Sequence, residues 1–409
     1  MDLVNVFTAK PGMVLARHVK NKDGRHLMDA GTHLGADEIR ILKMWGVLEI
    51  MVHPVPGITN GQKAGTRNGK TDVFLARWFC HNNLKDDVVR EIYDLAKDWF
   101  DSHPDVFSDF VKRLKSAMAK PPGKTIPMET GVDLDKLLAD NVKLPALPQI
   151  YSEIAAAVKD PRCSGKDIAD IVSKDTSLSA TLLKIVNSAY YGLAEKIDSL
   201  PYAAMALGTR QITSLAMGIT VINYFKGMPG NALDMKAFWR HSVGCGIMAR
   251  NLSTHIPGVN AERVFIGGLL HDIGRLVFLN YFPGISGAAL IKAGKLKLAL
   301  NQVEPRYFQM GHAEFGSRMA DTWNFSPEIS VLIRDHHTPF KTPPEKEVAI
   351  VHFSNWMVSA LGIGFSGEIA LPRLNKRVWE SMEISTSALV PVIRQMDRQI
   401  RETVRFFYE

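Results

Sequence analysis

The stretch Gly267-Gly268-Leu269-Leu270-His271-Asp272-Ile273-Gly274-Arg275 decides how the rest of the chain is read. An apolar, helix-like run leads into two adjacent side chains that can each ligate a metal, then an isoleucine, a glycine and a cation. Burying an unpartnered polar group costs about 1–3 kcal/mol, and a charge costs more. If His271 and Asp272 are buried they need partners, and a metal ion, a second histidine or a water network would serve. Neighbours on a helix point about 100° apart, so a single His-Asp pair says little by itself. Here more histidines flank it. His241 lies upstream in Phe238-Trp239-Arg240-His241-Ser242-Val243. His312 lies downstream in Gly311-His312-Ala313-Glu314-Phe315-Gly316, and His336 and His337 follow in Arg334-Asp335-His336-His337. A His/Asp set spread over several expected helices is how metal sites are built in helical cores.

The chain has 409 residues, enough for two or three domains. Hydrophobic residues make up 46% and charged residues 22%, the balance of a globular protein. No apolar run reaches the roughly 18–20 residues a membrane span needs, and Met1-Asp2-Leu3-Val4-Asn5 does not begin a secretory signal. Cys80, Cys163 and Cys245 are scattered without Cys-x-x-Cys spacing, which argues against a disulfide framework or a thiolate zinc site and points to a cytoplasmic location. The formal charge of +7 is compatible with nucleic acid, nucleotides or anionic partners. The alternative is a diffusely solvated surface, and no dense Lys/Arg stripe with interleaved aromatics argues against it.

Residues 1–53 read as a small α/β unit. Pro11-Gly12-Met13 turns into a strand from Val14 to Val19, and Asn21-Lys22-Asp23-Gly24 forms a hairpin turn. A helix is expected over Ala36 to Trp45, with Gly46 at its C-terminus and a closing strand from Val47 to Val52. Residues 54–72 are a linker rich in Gly, Asn, Thr and Lys. Residues 73–120 are helical, divided at His103-Pro104, and Trp78, Phe79, Trp99, Phe100, Phe107 and Phe110 are assigned to the core. Residues 121–143 are a second linker. Residues 144–370 form the main helical module, and residues 371–409 a C-terminal helical extension with an apolar stripe from Val378 to Val404. That stripe packs back on the module or forms a homodimer seam.

Within the module, Leu144-Pro145-Ala146-Leu147-Pro148 opens a helix with Ile150, Ile154, Ala157 and Val158 on one face. Ser164 and Asp175 are placed to cap the next two helices. The second of these runs from Leu178 to Ala189 and ends in Asn187-Ser188-Ala189-Tyr190-Tyr191-Gly192; Ala203 to Leu207, Gly208 and Ile212 follow. Taken singly, Asn187-Ser188 is a helix C-cap, Tyr190 and Tyr191 are core-edge aromatics and Gly208 is a turn or a close approach.

The series as a whole resembles the HDOD output domain. The order His241, His271-Asp272, His312, His336-His337 is similar to the HD superfamily of metal-dependent phosphohydrolases, and His-Asp-Ile-Gly to its HD-GYP branch. The first 53 residues resemble the small domain that often precedes HD-GYP modules. The resemblance implies a mainly α protein: an all-helical HDOD/HD-type module with a small N-terminal α/β domain. It implies that His241, His271 and Asp272 hold a divalent ion, Fe, Mn, Zn or Ni, and that His312, His336 and His337 support a second. Arg275 stands where the enzymes carry a lysine placed to meet phosphate. Two departures matter. Asn355 stands where the family's last aspartate is expected, giving a neutral ligand for an anionic one, and Thr338-Pro339-Phe340 replaces the glycine-tyrosine-proline loop. The expectation is therefore a signal-transduction protein that binds a partner protein or a nucleotide messenger without turning it over. The alternative is a metal-dependent phosphohydrolase.

Overall fold

The structure is a computed structural model that describes the chain except residues 1, 7–8, 10, 21–25, 45–46, 48, 54–68, 119–147, 188–190, 192–194, 227–233, 344 and 409. Contacts divide the chain into two units, Met1–Gly69 and Lys70–Glu409.

In the first unit, strand β1 (Asp2–Asn5) pairs antiparallel with β4 (Glu49–Val52), and β2 (Val19–Lys20) with β3 (His26–Met28). Helix α1 (Ala36–Met44) buries Ile39 and Leu42, three residues apart, against Leu15, Leu34 and Ile50. The strand expected over 14–19 is broken. Leu15 N donates to Thr32 O, whereas Ala16 N donates to Met51 O, so the segment changes partners and leaves only single bridges at Val14 and Leu15. Strand β1 carries no turn signal of its own and was not expected. The Asn21–Gly24 turn and Gly46 lie outside the described residues.

In the second unit, α2 (Gly69–Trp78), α3 (Asp87–Ser102) and α4 (Pro104–Met118) come first. The break at His103-Pro104 is present. A second break, not expected, separates α2 from α3, because Asp86 caps α3 by accepting from Val88 N at 3.1 Å. Phe74, Trp78, Phe100, Phe107 and Phe110 meet edge-on and stacked, and they share one core with the rest of the unit. This segment is thus part of the helical body and not an appendage.

Helices α5 (Gln149–Ala157), α6 (Gly165–Ser173), α7 (Thr176–Val186), α8 (Leu200–Leu207) and α9 (Thr209–Lys226) follow. Ser164 and Asp167 form a capping box on α6, and Asp175 accepts from Leu178 N at 2.9 Å on α7. Helix α5 stops before Val158, whose side chain is exposed rather than on the buried face with Ile154. Helix α7 stops at Val186, three residues short of expectation, since Asn187 turns the chain. Its Nδ2 donates to Ile197 O at 2.6 Å and its Oδ1 accepts from Ile197 N at 2.7 Å. Gly208, at φ +87°, makes the turn between α8 and α9. Leu144 to Leu147, Ser188 and Tyr190 lie outside the described residues.

The centre is built from α10 (Met235–Ser253), α11 (Ala261–Leu270) and α18 (Glu345–Ala360). Helices α10 and α18 are buried almost all round, as helices in the middle of a large body are. Between α11 and α18 lie α12 (Ile273–Tyr281), α13 (Pro283–Leu296), the short α14 (Leu300–Val303) and α15 (Pro305–Phe308), α16 (His312–Thr322) and α17 (Pro327–Asp335). The C-terminal segment is not one helix. It forms α19 (Lys376–Met382), a 3-10 turn and α20 (Leu389–Tyr408), interrupted at Glu383, which is left-handed at φ 55°. Helix α20 packs on the body, with Ile400 beside Gly244 of α10. No single helix among the described residues is long and apolar enough to cross a membrane.

Two close approaches depend on glycine. A Cβ on Gly268 would lie 2.9 Å from the Cys245 carbonyl oxygen, so α10 and α11 cross backbone to backbone. A Cβ on Gly274 would lie 2.2 Å from His312 O and 2.8 Å from Gly316 N, where α12 meets α16. Gly274→Ala has no flexible neighbour to displace. It should lower stability by about 2–3 kcal/mol, the upper part of the overpacking range, read as a lower urea midpoint.

Candidate metal centre

The same two crossings place the polar residues. Helix α10 supplies His241, the α11–α12 junction supplies His271 and Asp272, and α12 supplies Arg275. His312 opens α16, His336 ends α17 with His337 next, and α18 supplies His352 and Asn355. All the residues singled out from the sequence come together. His271 and His336 have ring centroids 4.9 Å apart, His241 and His271 5.4 Å, and His312 and His337 5.0 Å. His241, His271, Asp272, His312 and His336 are each at most 2% exposed.

Backbone carbonyls orient the imidazoles. His271 Nδ1 donates to Gly268 O at 2.7 Å, and His336 Nδ1 donates to Ile333 O at 2.6 Å. His312 Nδ1 bonds the Glu304 carboxylate, which also accepts from the His312 backbone N–H at 3.0 Å. With Nδ1 used as donor, each Nε2 is left with a lone pair aimed inward. His271 Nε2 comes within 3.1 Å of Asp272 Oδ2, and His312 Nε2 within 3.0 Å of Asp272 Oδ1. His337 Nε2 is 3.1 Å and His336 Nε2 3.4 Å from His312 Nε2. These are acceptors facing acceptors. His271 Nε2 and Asp272 Oδ1 are buried and make no aligned hydrogen bond with any described residue.

Donor chemistry and orphaned atoms therefore fit a divalent ion. Asp272, His312, His336 and His337 can each direct one ligand atom to a common space; His241, Cys245 and His271 form a second such group. Asn355 Oδ1 is 3.1 Å from His241 Nε2, on the edge of that second group. Asp272 sits between the two. An ion bound there would supply a Lewis acid and lower the pKa of a bound water toward about 7.

Arg275 is enclosed, at 2% exposure. Its Nη1 donates to Asp272 Oδ2 at 3.2 Å and to Ser366 Oγ at 3.2 Å, and its guanidinium faces Glu304 at 3.5 Å and Glu368 at 3.8 Å. Nη2 lies 3.2 Å from both ring nitrogens of His312. Burial raises the Asp272 carboxyl, but Arg275 and His271 outweigh it and hold it well below the usual range. Burial and Arg275 lower His312, yet Glu304 and Asp272 win and raise it. A proton on His312 and a metal ion are thus alternatives for one space. Burial takes His241 down to about 3, and takes His336 and His337 well below an ordinary imidazole.

Four contributors were not read from the sequence. Cys245 lies one turn after His241, an i,i+4 spacing that could have been noticed; its Sγ is 3.5 Å from His241 Nε2. His352 Nδ1 donates to His336 O at 2.7 Å, anchoring α17 from α18. Glu304 and Glu368 carry no spacing signal, since separate loops bring them in. Of the histidines outside this set, His18 and His26 are exposed, while His103 is half-buried and stacks on Trp99 at 3.9 Å.

Residues 144–339 match the HDOD domain family. A curated relative from Treponema pallidum, itself uncharacterized, is 28% identical over 61% of this chain, and the chain spans about half (48%) of that relative's length. The fold is shared with an HDOD domain protein of unknown function from Geobacter sulfurreducens, 24% identical with a TM-score of 0.55, over 73% of this chain and 98% of that one. It is shared with a provisionally named phosphohydrolase from Shewanella amazonensis, 20% identical with a TM-score of 0.55, over 69% and 100%. It is also shared with a provisionally named signal transduction protein from Marinobacter aquaeolei, 19% identical with a TM-score of 0.53, over 74% and 66%.

Glu368 gives a pH prediction. Burial pushes its carboxyl from 4.5 up to about 7, against the pull of Arg275. A carboxyl raised on folding binds more protons in the folded chain, so its contribution to stability falls as pH rises from about 4.5 to about 7. Glu368→Gln keeps the acceptor for Leu300 N and loses the titration. The melting temperature of the variant should fall less than that of the parent chain between pH 5 and pH 8, by about 1 °C for each 1 kcal/mol involved.

Proposed function

Since this chain carries an HDOD domain, we propose that it is a cytoplasmic signal-transduction protein whose helical body binds a partner protein or a nucleotide messenger without hydrolysing it. The observation that carries this reading is the enclosure of the His-Asp centre. A catalytic metal site keeps a coordination position open to substrate, whereas His271, His312 and His336 are 0% exposed and, of the four-donor group, His337 alone is partly exposed. Arg275 is committed to Asp272 and Ser366 instead of facing a surface where phosphate could arrive. Asn355 contributes a neutral oxygen beside His241, so that corner has one carboxylate fewer with which to hold an ion. An ion bound here would tie four helices together and act as a structural element.

The test is turnover. Purified full chain, supplied with Mn2+ or Fe2+, should hydrolyse cyclic dinucleotides, nucleoside triphosphates and phosphomonoesters no faster than its His271→Ala variant. Turnover near the usual enzymatic scale of about 1 s−1 or more that His271→Ala abolishes overturns the reading.

A second reading, a metal-dependent phosphohydrolase, is favoured by the inward Nε2 lone pairs and by orphaned Asp272 Oδ1. It requires a tightly held ion. Metal analysis after anaerobic purification should then give one or more ions per chain, reduced at least tenfold in Asp272→Ala. Less than one tight ion per chain removes this alternative.

A further inference from the structure

A third set of donors belongs to the N-terminal unit. His18 immediately precedes β2, His26 opens β3 and Asp29 directly follows β3. His18 Nδ1 is 2.9 Å from Asp29 Oδ1, and His26 Nε2 is 3.0 Å from the same oxygen. Their three ligand atoms all lie within 4.8 Å of one another, and the two rings are inclined at 52°. The side chains of His18, His26 and Asp29 are 61%, 47% and 72% exposed, so hydrated ions reach them freely.

We propose that His18, His26 and Asp29 form a site for a divalent first-row transition ion, Zn2+ or a neighbour, that clips β2 to β3. Bonds from such an ion to imidazole nitrogen or carboxylate oxygen are about 2.0–2.2 Å long. Two ligands on one ion are then about 3.0 Å apart in an octahedral arrangement and about 3.4 Å apart in the tetrahedral one that Zn2+ prefers, so each histidine, now 2.9 or 3.0 Å from Asp29 Oδ1, need draw back by only about 0.5 Å. Two imidazoles and one carboxylate are the donors such ions prefer to the oxygen-only sets of Ca2+ and Mg2+. The remaining coordination positions face solvent and would hold water. The Ala30 N–H approaches His18 Nδ1 at 3.3 Å, a long contact that a bound ion would replace.

The local structure gives the ion something to do. The β2–β3 ladder pairs Val19 with Met28 and Lys20 with His26, with an irregularity between the two steps. So short a hairpin is marginal alone, and a clip that binds only its paired form stabilises it by mass action.

Zinc chloride added to the full chain, followed by hydrogen exchange at residues 18–20 and 26–30, tests this. Zn2+ should slow exchange there at least tenfold in the parent chain and in His271→Ala, which removes one donor from the helical site. It should have no effect there in His26→Gln or Asp29→Asn. Calorimetry should show one Zn2+ fewer bound in those two variants than in the parent. Equal Zn2+ binding and equal exchange in parent, His26→Gln and Asp29→Asn overturns the site and leaves an ion pair between imidazoles and carboxylate only. Because His26→Gln and Asp29→Asn leave the helical donors in place and exchange is read only at residues 18–20 and 26–30, the result is independent of whether the helical centre takes a metal.

Discussion

The helical body depends on a mutual constraint among acceptors. Three imidazoles give their Nδ1 protons to Gly268 O, Ile333 O and Glu304, and so turn their other nitrogens on one another and on Asp272. The Gly268 and Ile333 carbonyls belong to the helices that carry the site, so the rings of His271 and His336 are oriented by the helix ends themselves. The positive charge that such an assembly demands comes from a cation: Arg275 supplies one, and a proton on His312 or a divalent ion supplies another. Removing one member would leave the others buried without compensation, which is the costly direction for a polar network.

Glycine makes the constraint geometrically attainable. Gly268 lets α11 lie against the Cys245 backbone, and Gly274 lets α12 lie against His312. Side chains at either place would push apart the helices that carry His241, His271 and His312. The sequence motif therefore has two layers: His271 and Asp272 carry the chemistry, while the glycines on either side set the distances at which it operates.

The site was legible because its residues are rare in apolar surroundings and occur in a recognisable order. His241, His271, Asp272, His312, His336, His337 and Asn355 were all named from sequence, and all converge. Glu304, Glu368 and Ser366 were not, because loops bring them to Arg275 and loops carry no periodicity. The partners of Arg275 also escaped sequence reading: the Asp272, Glu304 and Glu368 carboxylates and the Ser366 hydroxyl surround it. In the fold, caps at Ser164 and Asp175 were readable from side-chain chemistry alone. Strand lengths were not, since Leu15 and Ala16 divide their hydrogen bonds between two neighbours.

Asn82, in the turn between α2 and α3, has a reach that its place in the chain would not suggest. Its Nδ2 donates to Pro372 O at 3.0 Å and its Oδ1 accepts from Leu374 N at 2.8 Å, joining residues 290 and 292 positions apart. Trp356 Nε1 donates to the same Pro372 carbonyl at 2.8 Å. A contact of that sequence separation cannot form on a ribosome until residue 374 has emerged. The early helices must wait, with their aromatic faces incompletely covered, for residues 372–374 to arrive. The entropy of closing so large a loop grows only logarithmically with its length, so the clasp is a delay in assembly far more than a burden on the finished protein.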